Sequence, residues 1–187
     1  MNVVKTIATL GLLLAVVACG SADRYAVTLP PITETVRIAF RSVEVRDVSL
    51  PSYAAADEIH IRQNDGTLVS STDTLWADAP ERAVALEISE SLSRLTGRPI
   101  ASEPWPFEAY PDARLELRFT ELLATETGQF RATGQYFVAV SGGGRERSGL
   151  FDQSVQFDPK SGPAGIASAR GQLIFKLAEF IAKEGLK

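Results

Sequence analysis

Polar and apolar positions alternate along most of this 187-residue chain, and only in two places does the period lengthen to that of a helix. Tyr25 to Leu29 forms a short β-favouring run, stopped at Pro30-Pro31 because proline has no N–H to give a ladder. Val36, Ile38 and Phe40 alternate, and then the apolar phase slips to Val43 and Val45. One long strand bent by a bulge near Arg41 and Ser42 is therefore expected. Leu50-Pro51-Ser52-Tyr53 reads as a loop. Beyond it, Glu58 to Gln63 and Thr67 to Ser71 flank Asn64-Asp65-Gly66, a tight-turn signal that predicts a hairpin.

From Asp78 the spacing becomes three and four, and Val84, Ile88, Leu92 and Leu95 fall on one stripe of a helix. Asp78 is placed to cap that helix, with Pro80 in its first turn, Glu81 completing a capping box, and Gly97 and Pro99 ending it. Glu87, Glu90 and Arg94 read as its solvated face. Three long alternating segments follow, Arg114 to Leu122, Gln129 to Val140 and Arg147 to Phe157. Turns near Thr127-Gly128 and at Gly142-Gly143-Gly144 make them an antiparallel meander. A second helix opens at Ser161-Gly162-Pro163, carries Ile166, Ala169, Leu173, Leu177 and Ile181 on one side, and ends at Gly185. The expected fold class is α+β, a largely antiparallel sheet with two amphipathic helices packed on one face.

The start of the chain changes the picture. Lys5 precedes an apolar run from Ile7 to Val17, which leads into Val16-Val17-Ala18-Cys19, a lipobox. Eleven residues of helix rise roughly 16 Å, too little for about 30 Å of hydrocarbon, so the run reads as a cleaved signal. Residues 1–18 are expected to be the lipoprotein signal peptide, 19–24 an acylated cysteine and short tether, and 25–187 a single domain. Cys19, the one cysteine, is the lipidation site, bearing a diacylglyceryl group and a further acyl chain such as palmitate. An ordinary signal cleaved after Ala18 is the competing reading. Gly20, in place of an aspartate, favours the outer membrane over the inner, and the domain would sit on the periplasmic face. The five residues 20–24 reach at most about 18 Å, which keeps it close to its membrane.

Composition is ordinary and globular, and the net charge of −4 suggests neither nucleic acid nor a polybasic membrane patch. With one cysteine there is no internal disulfide. The single histidine, His60, alternates with Ile59 and Ile61, so a catalytic triad or a histidine metal cluster has no material. No G-x-S-x-G elbow, P-loop or paired-cysteine zinc spacing occurs, and no enzyme, cofactor or metal is expected. Two surfaces stand out. Pro104 to Pro111 is a proline-stiffened loop bearing Trp105, Phe107 and Tyr110, which reads either as a contact surface for a partner or membrane or as a cap on the core. Arg145 and Arg147 stand just after the triple-glycine turn, as contacts for lipid phosphate or an acidic partner, or as a solvated tip. Trp76 reads as a core or helix-start anchor.

In order and spacing, several short motifs resemble the ABC-type transport auxiliary lipoproteins, also called the PqiC or YmbA type. They are the lipobox, Tyr25-Ala26-Val27-Thr28-Leu29, the Leu50 to Tyr53 loop before Ile59-His60-Ile61-Arg62, Leu75-Trp76-Ala77, Asp112-Ala113-Arg114-Leu115, and the apolar C-terminal helix. Where the family shows Trp-Ala-Glu-Pro-Leu, this chain has Trp76-Ala77-Asp78-Ala79-Pro80. The resemblance implies a non-catalytic accessory lipoprotein of an MCE-type phospholipid transport system. Its implied partners are an MCE-domain protein and ABC-transporter or other inner-membrane subunits, and homo-oligomers through edge strands are a further arrangement. A monomeric periplasmic lipid carrier with an apolar pocket is the alternative, and a structural envelope lipoprotein a third.

Overall fold

A computed structural model describes residues 21–187, and the expected signal peptide, lipobox and Cys19 lie outside the described residues. The meander is its backbone. Strands β7 (Ala113–Thr125), β8 (Gln129–Val140) and β9 (Arg147–Gln156) pair antiparallel in chain order. Ala113, Leu115, Leu117 and Phe119 point into the core, and a bulge between Phe119 and Glu121 resets the phase so that Leu122 and Ala124 also point inward. Gly134 lies opposite Phe119, where a Cβ would come 2.2 Å from the Arg118 carbonyl oxygen and 2.6 Å from the Phe151 ring, so only glycine fits.

The shorter strands complete a mixed sheet. β1 (Asp23–Tyr25) runs parallel to β5 (Thr74–Trp76) in a separate two-stranded ribbon. β2 (Val43–Val45) lies parallel between β7 and β6 (Ile100–Ser102), at the Ala113 end of β7. β3 (Ile61–Arg62) lies parallel to β7 at its Ala124–Thr125 end and forms the expected hairpin with β4 (Leu68–Val69) around Gly66. The hairpin is only two residues deep.

The long strand expected over 36–45 is not formed. Val36, Ile38 and Phe40 alternate inward as the pattern requires, but none of the described strands pairs with them. Val36 N–H donates to Leu95 O and Ala39 N–H to Leu186 O, at the ends of helices. Alternation reported burial there, and only Val43–Val45 gained a ladder. The expected loop at Leu50 to Tyr53 contains a single helical turn, α1 (Ser52–Ala55), closed by bonds from Ala54 and Ala55 to Pro51 O.

Helices α2 (Pro80–Thr96) and α3 (Gly162–Phe180) pack on each other and on the sheet, and the stripes on both are buried as expected. Each buried leucine contributes about 1.5–3 kcal/mol, so the two stripes are the main support of the helical layer. α2 ends at Gly97 with φ 65°, and α3 runs into a π turn over Ile181–Gly185. The expected capping box is absent. Ala79 holds the N-cap position, while Asp78, one residue too early, accepts from Ala79 N–H and pairs with Arg82 one turn on.

Glu87 also departs from expectation. Glu90 and Arg94 form an exposed pair at 3.3 Å, but Glu87 turns toward α3 and binds Arg170 at 3.1 Å, their side chains 13% and 2% exposed. The cause is helix arithmetic: Glu87 lies three residues after Val84 and four before Ser91, both buried, so the buried face is wider than one stripe. The Arg170 guanidinium carbon sits 4.6 Å from the centroid of the Trp76 ring, which is itself buried, as a core anchor should be.

Candidate functional site

The proline-stiffened loop folds on itself. Trp105 Nε1 donates to Ala109 O at 2.7 Å and the Trp105 ring packs edge-on to Phe107 with centroids 5.0 Å apart. That contact leaves Phe107 55% and Tyr110 82% exposed. These rings do not cap the core: large aromatic area stands in solvent on a braced loop, as at contact surfaces.

The structure brings this loop to the triple-glycine turn. Ser141 N–H donates to Asp112 O, and Tyr110, Pro111, Gly142, Phe40 and Arg41 line one cleft of about 440 Å³. One side of it carries the exposed Arg41, which donates to the Asp112 carboxylate from its backbone N (2.9 Å), Nε (3.1 Å) and Nη2 (3.3 Å). Hydrogen bonds from Arg41 hold the Asp112 carboxyl below the usual carboxylate range. Gly142 and Gly143 have φ of 78° and 88°, a left-handed pair that lets β8 turn back without strain.

The two tip arginines differ in their surroundings. Arg145 is exposed, and no described acidic side chain pairs with it. Arg147 folds inward, donating to Gly185 O at 3.3 Å with its guanidinium 5.5 Å from the Phe40 ring. It ties β9 to the end of the C-terminal turn. Phe40 and Arg41 were not singled out in the sequence, where they stood at the phase slip read as a bulge.

This surface and the start of the described chain lie at opposite ends of the molecule. Trp76, the partner of Tyr25 in the β1–β5 ribbon, packs near Leu122, Ala124 and Phe130, at the far end of β7 from Ala113. About ten residues of strand separate the two levels, roughly 33 Å. Cys19 lies outside the described residues. His60 is half-buried, its Nδ1 3.1 Å from Glu58 O. Among the described residues no group of three His, Cys, Asp or Glu side chains is placed to hold a metal ion, and no helix is long and apolar enough to cross a membrane.

The model of the ABC-type transport auxiliary lipoprotein component matches residues 25–182. No match is found among curated proteins. Among solved structures, the chain is similar to an uncharacterized protein with a TM-score of 0.68 at 18% identity, covering 86% of this chain and 98% of that one. It is also similar to a Xanthomonas campestris protein of the DUF330 family, with a TM-score of 0.60 at 16% identity, covering 87% and 91%. These likenesses show a shared fold. The family is one of transport accessory components and not a known enzyme class. On the family match, which spans nearly the whole folded domain, the chain belongs to the ABC-type transport auxiliary lipoprotein family.

Proposed function

We propose that this chain is the accessory lipoprotein of an MCE-type phospholipid transport system, held by acyl chains on Cys19 at the periplasmic face of the outer membrane. In this reading it receives an MCE-domain protein on the end farthest from the anchor. The observation that carries it is the separation of the two ends. Only residues 20–22 separate Cys19 from β1, which would hold the β1 end within about 15 Å of the bilayer, while Phe107, Tyr110 and the Gly142–Arg145 turn stand about 30 Å farther out along β7. That geometry favours a protein partner over the anchoring membrane as their contact. Trp105 braces the loop, Arg145 supplies an exposed cation beside the turn, and Arg147 holds the turn to the body.

The shapes of the described clefts favour docking over the lipid-carrier alternative. The enclosed space beside Trp76 and Phe130 is about 10 Å³, the room of one water, and the larger spaces are open clefts.

Mild-detergent purification of the acylated chain from its own envelope, with mass spectrometry of bound proteins and lipids, tests the proposal. Recovery of MCE-domain or ABC-transporter subunits, lost in Phe107→Ser and Tyr110→Ser, supports it. Recovery of stoichiometric phospholipid without protein overturns it.

A further inference from the structure

The β3–β4 hairpin stands at the edge of the mixed sheet, attached to β7 only at Ala124 and Thr125. Beyond that attachment little covers it, and residues 64–73 are exposed without a break. Leu68 and Val69, neighbours on β4, lie in this stretch with 40% and 43% exposure. Successive side chains of a strand point to opposite faces, so exposure of both means that neither face of β4 is packed on the body. Edge strands are ordinarily guarded by charge. Here residues 64–73 hold two aspartates, Asp65 and Asp73, and no lysine or arginine.

The covalent path from this hairpin to the anchor is short. Asp23 N–H donates to Asp73 O at 2.9 Å, which joins the first residue of β1 to the segment that leaves β4. Cys19 is four residues before Asp23, and Val69 is four residues before Asp73. Each span reaches at most about 15 Å, so the cysteine and the apolar pair both lie close to that one hydrogen bond. A bilayer entered by acyl chains at Cys19 is therefore within reach of Leu68 and Val69.

We propose that Leu68 and Val69 rest in the surface of the lipid bilayer that holds the Cys19 acyl chains, a zwitterionic phospholipid leaflet, as a second contact that fixes how the domain stands on its membrane. Two such side chains are too small to hold a free protein on a bilayer. Once the chain is anchored, the hairpin meets the surface at high effective concentration, and a small apolar area suffices. The aspartates select the lipid, because with no cation among residues 64–73 they repel anionic headgroups and tolerate zwitterionic ones. The contact rests on the anchor at Cys19 and is independent of what meets the aromatic end.

The test uses the full acylated chain reconstituted in phosphatidylcholine vesicles, with mass spectrometry of the N-terminal peptide reading the acyl groups. An NBD fluorophore is placed on Ser70→Cys, beside the apolar pair, and in a reference protein on Leu150→Cys, an exposed position on β9. Quenching by a doxyl-labelled lipid is expected to be at least threefold greater at position 70 than at position 150. Leu68→Ser combined with Val69→Ser should lower quenching at position 70 at least threefold while the chain still floats with the vesicles. Replacing half of the phosphatidylcholine by phosphatidylglycerol at low salt should lower it at least twofold. Equal quenching at the two positions in an acylated chain, or a rise with phosphatidylglycerol, overturns the membrane contact and leaves the anchor standing. A chain without acyl groups removes the anchor and the contact together. Shielding of position 70 from aqueous iodide without quenching by the doxyl lipid would show a second copy of the chain covering the hairpin, and also overturns the proposal. The lipid-composition result decides it where the paired variant does not fold.

Discussion

The most informative single side chain is Glu87. Burial raises its carboxyl to about 7, against the pull of Arg170 and with Asp78 and Glu90 adding to the rise. The folded chain therefore holds a proton that the unfolded chain has released, and the stability this confers is full below about pH 4.5 and lost as pH rises through about 7. The span corresponds to a few kcal/mol, of order 3. We expect the thermal midpoint of the parent to fall by several degrees between pH 5 and 8, and the fall to disappear in Glu87→Gln. Asp112 and Asp152, whose carboxyls are lowered by arginine partners, change stability only at more acidic pH and leave this window clear. Equal slopes in parent and variant would contradict the assignment. At pH 8, where the Glu87 carboxyl is ionised, Glu87→Ala strands the Arg170 charge and should cost about 3–5 kcal/mol in urea unfolding. Sequence alone could not place this residue inside: a glutamate beside Glu90 reads as solvated until α3 supplies the arginine that covers it.

At the level of elements, what could be read from the sequence was whatever local period determines. The two helices and the three strands of the meander repeat their apolar residues over many turns, so their positions were legible. Val36, Ile38 and Phe40 show the limit, because alternation fixes which side is buried and says nothing about whether another strand lies alongside. The parallel placements of β2 and β3 were equally invisible, since they depend on partners far along the chain. The aromatic loop and the glycine turn were each recognised as candidates, and they meet because β7 and β8 pair antiparallel with Ala113 opposite Val140, which sets Asp112 beside Ser141; the addition of Arg41 to that surface depends on distant residues and was not visible. Element packing also yields a sharp expectation at Gly134. Adding a methyl there drives it into the Arg118 carbonyl and the Phe151 ring, so Gly134→Ala should destabilise by about 1–3 kcal/mol or more in chemical denaturation. Leu92→Ala, which empties a fully buried position on α2, should cost about 2–5 kcal/mol. Near-parental stability in either variant would show that the helical layer or the meander packs differently.

For the whole molecule, the account turns on direction. One end bears β1, which follows the residues leading from Cys19; the other bears exposed Phe107 and Tyr110 beside a cleft lined by the Arg41–Asp112 pair. In the proposed orientation the aromatic surface is held away from the anchoring membrane, which a chain that only decorated the envelope would have no need to do. The decisive measurement is photo-crosslinking in intact envelopes, with a benzophenone amino acid placed at Tyr110 in one strain and at Thr127, on the β7–β8 turn at the anchor end, in another. We expect Tyr110 to give adducts with a transport-system protein subunit and Thr127 to give lipid adducts or none. Lipid adducts at Tyr110, or protein adducts confined to Thr127, would contradict the proposed orientation.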